Sequence, residues 1–357
     1  MAGIFGKTPL ESPWKELFAD IVKLNEFTQQ NRKVQVHDAL IENYDISGAN
    51  LRAAVFEKTE WKNVIAKKII MDKAVFRNSK FEKVSFAGAS FSGVLFENSE
   101  FIDVEFDEAQ LSDVRFVSCK FKGTDFWKLQ HSKIKFDHAR IEKSQFNDSS
   151  AELAFANSTL NDVDMRSLQA PSALNFEKSE LKEVNFSDSH LSNFSLSSVN
   201  ADKYGFEGGT VDKVDIRDSY LGIGMREVQI GSLTIARSKI ESRFTLSKID
   251  HVDISNCQAV IDLGFYKSTV GTLSIRECAL ENFRAIGATI TTMKIKDSQL
   301  RNNEFKNLKA GTVIFENVTL DQKIDFTNAQ IDTLNVKGLV KLPSLNLITT
   351  GSNIKLD

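Results

Sequence analysis

With 357 residues, 45 basic against 48 acidic side chains and a formal net charge of −3, the chain gives no whole-molecule argument for binding nucleic acid or an anionic membrane. Three cysteines, an odd number with no CxxC spacing, argue against a disulfide framework and for a reducing cytoplasm. No apolar window approaches the roughly eighteen residues of a membrane span, and the N-terminus lacks the basic start and apolar run of a secretory signal.

Residues 1–10 read as a frayed tail. Ser12-Pro13 is a helix start, because Ser can cap and Pro is tolerated at the first helical position. Trp14, Leu17, Phe18, Ile21 and Leu24 then follow at helical spacing and predict one helix over 13–30. Its apolar stripe, Trp14, Leu17, Phe18 and Ile21, is a candidate cap or interface. With the tail it forms an N-terminal region, 1–38.

From Ile41 a large apolar residue returns every fifth position, a period that neither a helix nor a flat strand explains. The clearest stretch runs from Phe81 through Phe86, Phe91, Phe96, Phe101 and Phe106 to Phe126, with Leu111 in frame. Two residues before each centre sits a smaller one: Ser79, Val84, Ala89, Val94, Ser99. The frame defines a repeat region over 39–340, interrupted near 148–171 and 222–253, where it runs out of phase. A C-terminal cap or tail, 341–357, follows it. The apolar Gly338–Ile348 loses the period and is a candidate dimer surface at one end of the repeat.

The small positions alternate Ser or Ala with Val, a ten-residue rhythm inside the five-residue one. One coil of four quintets accounts for both: alternate quintets are opposite sides, and volume per layer stays nearly constant. Twenty residues per coil predicts ring ladders, Phe76–Phe96–Phe116–Phe136, Phe81–Phe101–Phe121 and Phe86–Phe106–Phe126–Phe146. Adjacent coils should rise about 4.8 Å, and residues 41–340 would make about fifteen of them. His131 falls at a centre and is expected as a core histidine among the ladders.

Segments such as Ala49-Asn50-Leu51-Arg52-Ala53 and Ala89-Ser90-Phe91-Ser92-Gly93 resemble the pentapeptide repeat family over roughly 41–336. The resemblance implies an all-β fold: a right-handed quadrilateral parallel β-helix, here with a short N-terminal α-helix cap. Lys80, Glu100, Gln110 and Lys120 depart from the Asp or Asn favoured just before the centre. The family sets the fold far more firmly than the function.

No catalytic cluster, phosphate loop or metal-ligand spacing emerges, so no enzyme, cofactor or metal is expected. Cys257 and Cys278, nearly one coil apart, read as a buried thiol pair. The remaining handle is charge. Glu97, Glu100, Asp103, Glu105, Asp107, Glu108 and Asp113 occupy about one coil with no base among them and form a candidate partner surface. The leading expectation is a non-enzymatic binding scaffold with a protein partner, the two interruptions being further places to dock it. Direct nucleic-acid binding is not expected. The resemblance also implies a DNA look-alike that protects a type II topoisomerase such as gyrase. A secreted bacterial effector is a third reading.

Overall fold

The computed structural model describes residues 8–320, 324–338 and 353–356, so 339–348 of the expected dimer surface lies outside the described residues. The chain forms two compact units, one ending at Glu180 and one beginning at Leu181. Both are parallel β-solenoids in which each short strand pairs with the strand one coil further along.

In the first unit the tail is partly ordered. Thr8–Pro9 pairs in parallel with Ala39–Leu40, and Leu10 is buried. The single helix expected over 13–30 is two: α1, Trp14–Phe18, and α2, Ile21–Gln29. The cause is Asp20, whose extended backbone and carboxylate cap α2 by accepting from the Lys23 N–H at 3.2 Å. Ser12 does not cap α1; its hydroxyl bonds Glu16 instead. Phe18 and Leu24 enter the core, and Phe18 meets Tyr44, Phe56 and Trp61 edge-on at 6.2–6.5 Å. Asn25 finishes the cap: its Oδ1 accepts from the Asn50 N–H at 2.7 Å and its Nδ2 donates to the Gly48 carbonyl at 3.4 Å. The solenoid edge, otherwise a row of open backbone groups, is thereby covered.

The coils that follow obey the five-residue frame, which starts one quintet earlier than Ile41, at the buried Val36. Two residues after each centre the backbone turns left-handed, as at Asn78 (φ 52°), Lys83 (φ 53°), Gly88 (φ 66°) and Gly93 (φ 67°). Such φ values suit Gly, Asn and Asp, and they make the four corners of a coil. The faces are named here by their inward ring: Phe76, Phe81, Phe86 and Phe91. On the first, Phe56, Phe76, Phe96, Phe116, Phe136, Phe155 and Phe176 stack at 4.7–5.1 Å between successive rings. The Phe81–Phe101–Phe121 and Phe86–Phe106–Phe126–Phe146 ladders form as expected. These rings are buried, each worth about 2 kcal/mol of transfer from water.

The small inward positions do more than set volume. The Ser79 hydroxyl accepts the Thr59 N–H at 3.3 Å and donates to the Arg77 carbonyl at 3.0 Å. The Ser99 hydroxyl does the same for the Ser79 N–H and the Glu97 carbonyl, at 3.2 and 2.9 Å. A backbone donor that the corner leaves unpaired is thus served by the next coil.

His131 is not a core residue. It takes a left-handed corner (φ 45°) and is exposed, while Ser132 turns inward between Leu111 and Ala151. The corner that the frame would put at Lys133 has moved two residues earlier. Ser132–Asp137 then runs straight, with Ser132, Ile134 and Phe136 alternating inward.

The interruption near 148–171 is not an excursion. Register partners Ile134 and Leu153 are 19 residues apart and Leu153 and Leu174 are 21 apart, so one coil loses a residue and the next regains it. The Phe136–Phe155–Phe176 stack passes through without a break.

In the second unit, eight-residue strands such as Thr210–Arg217, Gln229–Ala236, Lys248–Ser255 and Thr269–Arg276 span what were two faces. Their centres are mainly β-branched, as in Ile235–Ile254–Ile275–Ile295, a composition that suits long pleated strands. The second interruption has the same origin as the first. Val211, Ile230 and Ile249 follow at 19-residue steps and Val270 after 21, so one of the two lost residues is regained and the later centres stay one position out of the first frame. At the far end Asn353–Leu356 pairs with Thr333–Val336.

Candidate partner surface

The seven acids wrap around their coil instead of sharing a side. Glu97, on the Phe76 face, is paired with Arg77 at 3.1 Å. Glu100, on the Phe81 face, lies in register between Lys80 and Lys120, within a column that runs Glu60, Lys80, Glu100, Lys120. Asp103, Glu108 and Asp113 occupy left-handed corners. Only Glu105 and Asp107 point out from one face, the Phe86 face, with Glu108 at its edge.

That face gathers acids from the next coil. Glu105 bridges in register to Asp125, twenty residues on, and Asp125 to Gln145. Asp107 is half-buried, and one of its carboxylate oxygens, Oδ1, is enclosed without a hydrogen-bond partner among the described residues. Burial, then the charges of Asp125 and Glu105, push its carboxyl up to about 6. Asp125 Oδ1 accepts from the Trp127 N–H at 3.0 Å, and the indole Nε1 of Trp127 donates to Asp148 at 3.0 Å. Lys128 lies 3.8 Å over the Trp127 ring. Asp125 and Trp127 fall outside the linear run of acids; adding the coil length of twenty to Glu105 and Asp107 finds both.

Of the N-terminal residues, Phe18 is buried, Trp14, Leu17 and Ile21 are half-buried, and Trp14 packs edge-on against Phe27 at 5.7 Å. Of the four, Phe18 is the one that meets the rings of the first coils. The histidines are dispersed: His37 faces Glu57 at 3.4 Å, His138 faces Asp137 at 2.9 Å, and His190 and His251 bond Thr210 and Thr272. Among the described residues no group of three or more His, Cys, Asp or Glu could hold a metal ion. Nor is any described helix long and apolar enough to cross a membrane.

The cysteines belong to the hydroxyl ladder. In the second unit Val199 N–H bonds Ser219, Ser219 N–H bonds Ser238, Cys257 N–H bonds the Cys278 sulfur at 3.4 Å, and Cys278 N–H bonds Ser298. Cys257 and Cys278 stand where serines stand elsewhere, and both are free and buried. Cys119 is buried likewise, and desolvation pushes its thiol up to about 12.

The pentapeptide-repeat profile, eight copies, matches residues 67–98 and 89–127, the part where centre, small residue and left-handed corner recur most regularly. Over residues 67–127 the chain carries pentapeptide repeats. No curated relative matches it. Among solved structures, trypsin-treated QnrB1, a plasmid-mediated fluoroquinolone resistance protein, is 15% identical, with 42% of this chain and 75% of that one covered and a TM-score of 0.28. HetL, a pentapeptide repeat protein involved in heterocyst differentiation regulation in the cyanobacterium Nostoc sp. strain PCC 7120, is 9% identical, covering 87% and 92%, with a TM-score of 0.22. A PL6 alginate lyase in complex with a trisaccharide is 11% identical, covering 98% and 94%, with a TM-score of 0.28.

Proposed function

We propose that this protein is a non-enzymatic scaffold that binds a protein partner through the acidic Phe86 face. The observation that carries the reading is a contrast between faces. Glu97 and Glu100 are answered by Arg77, Lys80 and Lys120, whereas Glu105, Asp107 and Asp125 have one another as neighbours. Three acids left together suit a basic segment of a partner, with Trp127 beside them as an aromatic anchor. The three free cysteines fit a reducing cytoplasm. The test is affinity capture from a cell extract with the wild type and an Asp107→Asn/Asp125→Asn variant. A partner retained by both proteins alike would overturn the placement.

A second reading, protection of a type II topoisomerase by mimicry of duplex DNA, draws on the same acids. The interleaved Lys80, Lys120 and Arg77 weaken it, because mimicry needs negative potential carried along successive coils. A gyrase supercoiling assay with and without quinolone tests it; no effect of excess protein in either arm rules it out.

A further inference from the structure

We propose that the groove beside Arg115, Lys133 and Lys135 binds a phosphomonoester carried on a hydroxyl-bearing body, such as a sugar phosphate. On the Phe81 face, Glu60, Lys80, Glu100 and Lys120 alternate in sign before Lys120 meets Arg140 across the ladder. On the Phe76 face Arg115 lies directly across from Lys135 with no acid in the column: the next residues are Leu95 on one side and Ala154 on the other. Like charges directly opposite are destabilising. Among the described residues neither Arg115 nor Lys135 is within ion-pair distance of an acid, while Arg77, Lys80 and Arg140 all have partners.

The displaced corner supplies the third cation. Had the five-residue frame held, Lys133 would occupy the corner. Because His131 turns instead, Lys133 joins the straight strand Ser132–Asp137 and projects from the same side as Lys135. Two residues apart on an extended strand, their Cα atoms are about 6.6 Å from one another, and Arg115 is about 4.8 Å from Lys135 across the ladder. Three flexible cations on so small a triangle can meet the oxygens of one phosphate dianion. Lys133 has an acid within reach, Glu152 at 3.7 Å, but both side chains are half or more exposed, so that pair holds it weakly.

The surroundings suit the rest of such a ligand. Asp113, Val114, Arg115, Lys133 and Lys135 line a hollow of about 140 Å³. Asp113 and Lys133 also line an adjoining groove of about 320 Å³ with Ser112, His131, Ser150 and Glu152 among its walls. Hydroxyls, carboxylates and an imidazole offer donors and acceptors to a polar body, beside the apolar Ala151 and Pro171. The acids Asp113 and Glu152 oppose a diffuse polyanion, which favours one compact anionic group next to hydroxyls.

Titration calorimetry on the full chain at low salt, with glucose 6-phosphate, inorganic phosphate and glucose as probes, tests this. Glucose 6-phosphate should bind saturably and more tightly than phosphate, and glucose should not bind. Lys133→Gln/Lys135→Gln should weaken glucose 6-phosphate at least about tenfold, with an unchanged circular dichroism spectrum. Lys120→Gln/Lys122→Gln, on the neighbouring face, should leave it unchanged. Absence of saturable binding up to about 10 mM of either phosphate probe overturns the site, as does equal loss in the two variants. Phosphate matching glucose 6-phosphate overturns the role of the larger groove.

Discussion

Asp107 and Asp125 stand on successive coils of one face, and burial, together with the proximity of the second, pushes the carboxyl of the first up to about 6. The direction matters for stability. A carboxyl raised in the folded state contributes fully below its unfolded value, here 3.8, and loses that contribution as pH rises through about 6. Asp107→Asn is therefore expected to stabilise the protein at pH 7.5 and to change little at pH 4. The whole displacement would be worth roughly 3 kcal/mol. With Asp107 only half-buried, screening reduces the expected gain to about 1 kcal/mol. Urea unfolding of both proteins at the two pH values measures it, and a variant less stable at pH 7.5 contradicts the account.

Ser79→Ala removes the hydroxyl that serves the buried Thr59 N–H. The expected loss is about 1–3 kcal/mol, the penalty for leaving a buried donor unmatched. Ser92, exposed on its strand, is the control and should cost less than about 0.5 kcal/mol as Ala. Equal midpoints for the two variants would show that the small positions matter through volume alone.

Gly209 has φ 81°, and a Cβ there would lie 2.2 Å from the carbonyl oxygen and 2.8 Å from the nitrogen of Ser189. Gly48 has φ 74° with nothing within 4 Å of the same atom. Gly48→Ala should cost about 1–2 kcal/mol for the left-handed backbone alone. Gly209→Ala should cost more than about 4 kcal/mol, because backbone has to move as well. Thermal melts of the two variants read the difference.

The three thiols should resist a charged alkylating reagent in the native protein at pH 8 and react on unfolding, since all are buried. Mass spectrometry counts the adducts. Labelling of Cys119 without denaturant would mean that its coil opens locally.

The ladders were legible in the sequence because Phe at every fifth position admits few solutions: the twenty-residue coil follows once four sides are assumed, and Phe76 to Phe136 stack accordingly. Two things were not. A corner can move along the backbone without changing composition, so His131 looked like a core residue. A one-residue deletion compensated a coil later, as between Ile134 and Leu174, looks in a linear frame like a long interruption. The candidate surface was half legible. A run of acids marked the coil, but which of them share a face depends on corners, and Asp125 is a neighbour only once coils are stacked.

The hydroxyl ladder gives the solenoid a direction. Each serine receives its N–H from the coil before it, so Thr59 is satisfied by Ser79 and Ser79 by Ser99. Cutting coils from the C-terminal side strands a buried donor in the last coil kept. Within this ladder, cutting from the N-terminal side strands only an acceptor that water can serve. Growth of the fold is correspondingly one-way in its electrostatics: a coil becomes complete when its successor is laid down, and a chain emerging from its N-terminus always carries one coil still waiting for the next.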